Sequence, residues 1–364
     1  MIPTELDGIP LRLLGFVLGL GVCWALLPVL IRLSPRLGLV DRPNSRKVHQ
    51  QLIPAIGGLT IGLALLAVSV LYTPMQVLAG QQPVLILASL VLMVTGVIDD
   101  RLNLPALVRL CIQLGCALAV THYGIRLTSL HGLFGIQTLP LLVQYGLTML
   151  ILTGMANAFN LIDGIDGLAG SLALLNTLVL SGLAWFLHQP GWLALLCPLA
   201  GALLAFLKFN WRPARLFMGD GGSVVLGFLM VSIGMALMEG AYGQANAYAP
   251  QALCLITACC MLPVIDALRV FGSRMMRGNS PFAADRNHMH HWLLKHRFAH
   301  SEITLRLLSV HSLVVILSPV ALYFLSISTV FIGQIGVTIG YTALIQLSHS
   351  FLQSYRLVKK LESN

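Results

Sequence analysis

The sequence predicts an all-α, polytopic integral membrane protein of about 11 transmembrane helices, and three observations carry that prediction. Hydrophobic residues make up 57% of the 364 and charged residues only 10%, against roughly 25% charged in ordinary globular chains. The mean hydropathy is +0.85. The apolar residues also fall into stretches of the length a bilayer demands, about 20 residues each, separated by polar or Gly/Pro-containing breaks. So little charge cannot cover a soluble fold. That excludes a soluble enzyme, a disordered chain and a nucleic-acid-binding domain, despite a formal net charge of +9. The seven cysteines lie inside apolar runs with no CxxC pair and read as small hydrophobes, not as a disulfide or zinc framework.

The spans are expected, in order, near 9–31, 54–72, 83–98, 104–121, 139–157, 167–187, 190–207, 222–239, 249–268, 305–325 and 329–350. The first carries Glu5 and Asp7 ahead of it and only Arg12 near its start, so it lacks the basic lead of a cleavable signal peptide and reads as a retained helix starting outside. With that start, all of the 22 Lys and Arg except Arg12 and Arg126 fall on the inner side. Basic residues collect in cytoplasmic loops, so the N-terminus is expected in the periplasm and the C-terminus in the cytoplasm. The 13 acids divide in the same sense, with only Glu5, Asp7 and Glu239 outside. The outer loops are short and nearly uncharged and are expected only to turn the chain. The whole, residues 1–364, reads as one membrane-embedded domain whose site is built from the inner loops near 32–53, 99–103, 157–167, 208–221 and 269–304. In the last of these, Trp292-Leu293-Leu294 beside Lys295 and Arg297 suggests an amphipathic segment lying in the interface.

Five constellations concentrate on that inner face. Asp99-Asp100 directly follows the apolar run Val91–Ile98, and two adjacent carboxylates at a span end repel one another unless a cation or water meets them. A solvated helix stop with Arg101 as partner is the plain alternative. Asn157, Asn160, Asp163 and Asp166 recur at spacings of three, and Gly164 and Gly167 free the backbone to turn between spans five and six. Such a turn can aim carboxylates and backbone N–H groups at a metal-bound phosphate. Asn210-Trp-Arg212-Pro-Ala-Arg215-Leu-Phe217-Met-Gly219-Asp220-Gly-Gly-Ser223 leads into span eight. It offers two arginines for phosphate, an aromatic face and a carboxylate at a helix N-terminus, where Asp is also a good cap. Asp285-Arg286-Asn287-His288-Met289-His290-His291 follows Asp266, Arg269, Arg274 and Arg277; a zinc site is disfavoured by the absence of Cys and by the His spacing, and a His/Arg wall around phosphates fits better. Arg46-Lys47-Val-His49 before Gly57-Gly58 is the fifth, and also suits a simple positive anchor. Hard oxygen donors favour Mg²⁺, with Mn²⁺ as substitute, over zinc.

From Arg46 to about His291 this motif set, in order and spacing, resembles the polyprenyl-phosphate N-acetylhexosamine-1-phosphate transferases. The interrupted His288-Met289-His290-His291 is similar to the HIHH pattern of the N-acetylglucosaminyl branch, whereas phospho-MurNAc-pentapeptide translocases carry three contiguous His. The resemblance implies transfer of N-acetylglucosamine 1-phosphate from UDP-N-acetylglucosamine to undecaprenyl phosphate, with release of UMP. It places the enzyme in the bacterial inner membrane, with the site facing the cytoplasm, at the first membrane step of O-antigen or other cell-surface polysaccharide synthesis. A homodimer is one assembly open to it.

The resemblance also implies roles. Asp220 is expected as metal ligand with Asp163, and Asn160 orders the metal-diphosphate. Asp99 and Asp100 position or deprotonate the lipid phosphate. His290 and His291, with His288, Arg274 and Arg286, hold phosphates or the sugar. Phe217 lies under uracil, supported by Asn210, Asp166 and Lys47, and His49 is a further substrate-binding residue. An aspartyl intermediate on Asp99 and a single displacement both remain open, the second preferred because a phosphate dianion needs little activation. A cation-coupled transporter is the competing class, but the acids sit at span ends and in loops rather than at mid-membrane. The signature of CDP-alcohol phosphotransferases is absent.

Overall fold

A computed structural model describes residues 8–41, 52–243, 248–278, 287–296 and 298–362, with the side chains of 242–243 and 352–362 excepted. Of the described residues 81% are helical, as the apolar stretches predict. Helix α1 runs over Ile9–Leu37, α2 over Gly57–Leu71, α3 over Thr73–Gln81, α4 over Pro83–Leu102, α5 over Ala106–His122, α6 over Leu141–Ile162 and α7 over Leu168–Phe186. Then come α8 over Leu193–Asn210, α9 over Asp220–Gly243, α10 over Ala249–Met276, the short α11 over Met289–Lys295, α12 over His300–Ala321 and α13 over Ile327–Glu362. Each of the eleven expected spans coincides with a helix. Among the described residues nine helices are long and apolar enough to cross a bilayer unaided. The second span is instead a bent pair, α2 and α3 meeting at 105°, where Thr73-Pro74 cannot continue the preceding helix. The fourth, α5, is a helix of only 17 residues.

Helix α9 is the axis of the molecule: 89% of its span is enclosed by protein, against 28% for α1 and for α13. It packs on α2, α4, α6, α7 and α10. Lipid tails are as apolar as Leu, so membrane helices associate by close backbone approach, and here glycines provide it. A Cβ on Gly58 of α2 would fall on the backbone of Gly222, and one on Gly96 of α4 on that of Gly221. The first turn of α9 is therefore pressed between two backbones.

Two features at the ends of the bundle depart from expectation. The second span was expected from residue 54, but Ile53–Pro54 forms a strand, β2, antiparallel to β1 at Val40–Asp41. Ala55 continues it into a parallel bridge with Phe217, so α2 begins only at Gly57. At the opposite end, the loop 123–140 does more than turn the chain. It folds back through the Ser129–Thr138 bridge, and Glu239, near the end of α9, accepts the backbone N–H of Thr128 at 2.9 Å and its hydroxyl at 2.5 Å. Glu239, expected among the few outer acids, is spent on docking that loop.

Candidate active site

The ends of α4 and α6, the starts of α5 and α9, and α11 meet at one end of the bundle. Helix α4 stops because Asn103 adopts a left-handed conformation, φ 52°, and its N–H returns to the carbonyl of Asp99 at 2.8 Å. That stop places the two carboxylates in different hands. Asp99, 5% exposed, accepts the N–H of Leu104 at 2.7 Å and Nη1 of Arg109 at 2.5 Å. Asp100 turns the other way and accepts the N–H groups of Asp220 and Gly221 at 3.0 and 3.5 Å. Those are orphan donors at the start of a helix, where a negative charge is favoured. Asp100, expected at the lipid phosphate, is thus placed as the cap of α9.

Asp220 opens α9 after Gly219, whose φ of 75° suits a residue without a Cβ. Its Oδ1 accepts Nδ2 of Asn160 at 2.8 Å and its Oδ2 faces Nη1 of Arg109 at 3.3 Å. The same Asn160 amide donates to the Ser223 hydroxyl at 2.9 Å, which in turn donates to the carbonyl of Gly219 at 3.1 Å. Expected partners Asp220 and Asn160 are therefore brought together, and Arg109 joins Asp220 to Asp99. Asn157, one turn before Asn160, is occupied instead by Gln113 of α5, to which its amide donates at 2.6 Å.

Asp163 ends α6. Burial pushes its carboxyl up to about 7, and the charges of Asp220 and Asp166 add to the shift, so negative charge accumulates here without full compensation. Gly164 follows, and the ring of His290 lies directly against it: a Cβ on Gly164 would strike Nε2, Cε1 and Cδ2 of that ring. His290 is 2% exposed, and among the described residues neither of its ring nitrogens has a partner. Burial, with the neighbouring His291 adding, holds its pKa well below the usual histidine range, so the imidazole is neutral and offers one donor and one acceptor. Two unsatisfied buried polar atoms beside a cluster of carboxylates are what a polar ligand would satisfy.

The turn itself is tied on two sides. Asp166 accepts the N–H of Ala214 at 3.3 Å and pairs with His300 Nδ1 at 3.2 Å, while the Thr304 hydroxyl donates to its carbonyl at 3.0 Å. Asn210, 3% exposed, accepts Gly167 N–H at 2.9 Å and donates to the Leu216 carbonyl at 2.9 Å. Both Asp166 and Asn210, expected near uracil, are placed as ties between this turn and the loop 211–219. Phe217 is half-buried and held by its backbone: its N–H donates to the Pro54 carbonyl at 2.8 Å and its carbonyl accepts Gly57 N–H at 2.9 Å. Trp211, 38% exposed, lies against Gly167 at the rim.

His288, also expected at the substrate, is 4% exposed and bonded to Asp266 of α10 at 2.8 Å. His291 lies 4.3 Å from His290 between ring centres, and Arg274 is buried over Phe271. Trp292 and Leu293 are 7% and 4% exposed, so α11 packs into the protein rather than lying in the interface. Lys47, His49 and Arg286 fall outside the described residues. Sequence reasoning did not assign Arg109, Ser223 or His300 to the site. Arg109 carried one signal, a charge one turn into an apolar span; Ser223 carried only its place at the end of the Asn210–Ser223 segment, and His300 none.

Among the described residues no three His, Cys, Asp or Glu side chains stand close enough to cage a metal on their own. The donor set is nonetheless that of a hard cation, several carboxylates and an amide around one arginine, with ligand oxygens left to complete it.

Compared with known proteins, residues 82–238 match the family described as glycosyl transferase family 4. A protein of Bacillus subtilis (strain 168), described as a probable undecaprenyl-phosphate N-acetylglucosaminyl 1-phosphate transferase, is 30% identical over 290 residues, covering 79% of this chain and 78% of that one. An undecaprenyl-phosphate alpha-N-acetylglucosaminyl 1-phosphate transferase of Escherichia coli (strain K12) is 31% identical over 277 residues, 73% of this chain and 72% of its own. A decaprenyl-phosphate N-acetylglucosaminephosphotransferase of Mycobacterium tuberculosis (strain ATCC 25618 / H37Rv) is 31% identical over 323 residues, 82% and 80% respectively.

Proposed function

We propose that this chain, which belongs to glycosyl transferase family 4 and is kin to the polyprenyl-phosphate N-acetylglucosamine-1-phosphate transferases, transfers N-acetylglucosamine 1-phosphate from UDP-N-acetylglucosamine to undecaprenyl phosphate. The products are undecaprenyl-diphospho-N-acetylglucosamine and UMP. Kinship with phosphotransferases leaves the transporter alternative without support. The observation that carries the reading is the junction of Asp99, Arg109, Asp220 and Asn160, with the ring of His290 set against Gly164 next to Asp163.

The lipid phosphate is already an anionic nucleophile, so the protein has mainly to bring two repelling phosphates together and neutralise the charge that moves. Asp220 and Asp163 would hold Mg²⁺, or Mn²⁺ in its place, and that ion would supply charge neutralisation to the diphosphate. The raised Asp163 carboxyl, buried beside Asp220 and Asp166, supports a cation there that would favour its ionised form. Asn160 fixes the Asp220 carboxylate for the task. Arg109 sits where it can pass from the Asp99 and Asp220 carboxylates to an oxygen of the lipid phosphate. His290, neutral and with a free N–H, donates to a phosphate or sugar oxygen, and Phe217 and Trp211 offer aromatic faces for the base. A single displacement needs no group beyond these. The charge asymmetry of the loops supports a cytoplasmic face for this site in the bacterial inner membrane, and the product would feed cell-surface polysaccharide assembly such as O-antigen.

The experiment is UMP release by purified protein given UDP-N-acetylglucosamine, undecaprenyl phosphate and Mg²⁺. Release that requires the lipid supports the reaction. Release with another UDP-hexosamine alone would move the sugar, and silence with every nucleotide sugar would overturn the reading. A burst of UMP without lipid would replace the single displacement with an aspartyl intermediate.

A further inference from the structure

We propose that Asp266 and Arg269 of α10 form a clamp that sets the histidine strip of α11, and thereby act as positioning residues for the transfer proposed above. Helix α11 has seven residues, too few to be stable alone, and its first residues have no cap from their own side chains. The cap comes from another helix. The Asp266 carboxylate, 2% exposed, accepts Met289 N–H at 3.1 Å and faces His288 Nδ1 at 2.8 Å. One turn further along α10, Arg269 donates to Asp266 at 2.8 Å and to the Asn287 carbonyl at 2.5 Å, and its guanidinium lies 4.0 Å from the centre of the Trp292 ring. Two side chains on α10 therefore grip residues 287, 288, 289 and 292.

The grip reaches the site through stacked rings. His288 and His290 lie parallel, 5.7 Å between centres and 7° between planes, and His290 rests against Gly164 beside Asp163. A buried ion pair is weak support for stability and is sometimes retained because it fixes geometry. Here it also fixes chemistry: with Nδ1–H given to the carboxylate, the orientation and tautomer of His288 are set, as a carboxylate partner does for a histidine metal ligand. His288 is then the anchor of the strip, and His290 is the member that meets the ligand.

Two measurements test this. Amide exchange followed by mass spectrometry on full-length protein in detergent compares wild type with Asp266→Asn, which keeps the shape of the side chain and removes its charge. Exchange at 288–295 is expected to rise about tenfold or more while 99–103 and 220–224 stay within about twofold; an unchanged 288–295 overturns the clamp. Kinetics of UMP release are expected to show kcat lowered about 10- to 100-fold with KM for UDP-N-acetylglucosamine within about threefold. The double variant Asp266→Asn/His288→Gln is expected to be no worse than the poorer single one. Multiplying effects, or an Asp266→Asn enzyme within about twofold of wild type, overturn the proposal. Arg269→Lys, which keeps the charge but loses the fork, is expected to move both readouts less in the same direction and serves if Asp266→Asn does not fold. The exchange measurement does not depend on the reaction, so a silent wild type with a loosened strip faults the reaction alone.

Discussion

Nη1 of Arg109 stands 3.3 Å from Oδ2 of Asp220 across 111 residues of chain, and 2.5 Å from Asp99 ten residues before it. A single guanidinium thus joins the end of α4 to the start of α9. Arg109→Met is expected to leave Asp99 buried without its counter-charge. The cost should be about 1–2 kcal/mol, at the low end for a buried pair because Arg109 is 39% exposed. Thermal unfolding in EDTA measures it, and Mg²⁺ should recover part of the loss.

Asp220→Asn keeps the contact with Asn160 but removes the charge expected to hold the cation. UMP release is expected to fall about 10²- to 10³-fold, with the Mg²⁺ concentration for half activity displaced upward. A variant with wild-type Mg²⁺ dependence would remove Asp220 from the metal.

Asp163 carries a pH signature. Its pKa is raised from 3.8 to about 7 in the folded chain, so between those values the folded state holds a proton that the unfolded state has lost. The contribution of Asp163 to stability in metal-free protein is therefore present on the acid side, declines as pH rises toward about 7, and is flat above it. Mg²⁺ competes with that proton, so its affinity should rise with pH up to about 7 and then level. Calorimetric titration from acid to neutral pH reads the slope, and Asp163→Asn should reduce it.

Gly164→Ala would push a methyl into the His290 ring. Overpacking of this kind costs roughly 1–3 kcal/mol, but the larger effect is expected on rate, about 10- to 100-fold, because a misplaced group loses its orientation. Steady-state kinetics beside thermal unfolding separates the two.

Gly58→Leu would drive α2 from the backbone of Gly222. The expected result is a destabilisation of about 3 kcal/mol or more, seen as a lowered thermal midpoint and poor recovery from the membrane. Gly146→Leu, on a face of α6 where an added Cβ meets nothing, is the control and should behave as wild type.

The spans were legible because a bilayer reads only length and hydropathy, and each of the eleven apolar stretches became a helix. The bend after Tyr72 was less so, since the apolar run continues through Leu71-Tyr72 and only Pro74 marks the break. In the site, the Asp, Asn and His positions were visible as polar residues at span ends. Their division of labour was not. Asp99 and Asp100 are adjacent in sequence but point to different helices, and the partners of Asn210 and Asp166, namely Gly167, Leu216, Ala214 and His300, appear only across the fold. Spacing along a chain reports which residues share a helix face. It does not report what a loop 40 or 100 residues away brings to meet them.

Where α2, α4 and α9 press together, peptide lies on peptide, and Asp100 seats the first amides of α9 directly. Asp99 and Asp220 are therefore mounted on helices whose backbones meet directly at Gly96 and Gly221. The reactants must be brought to the carboxylates, since the carboxylates cannot travel to them. Residues 211–219 and 287–296 are held differently, through side-chain ties such as those of Asn210 and Asp266.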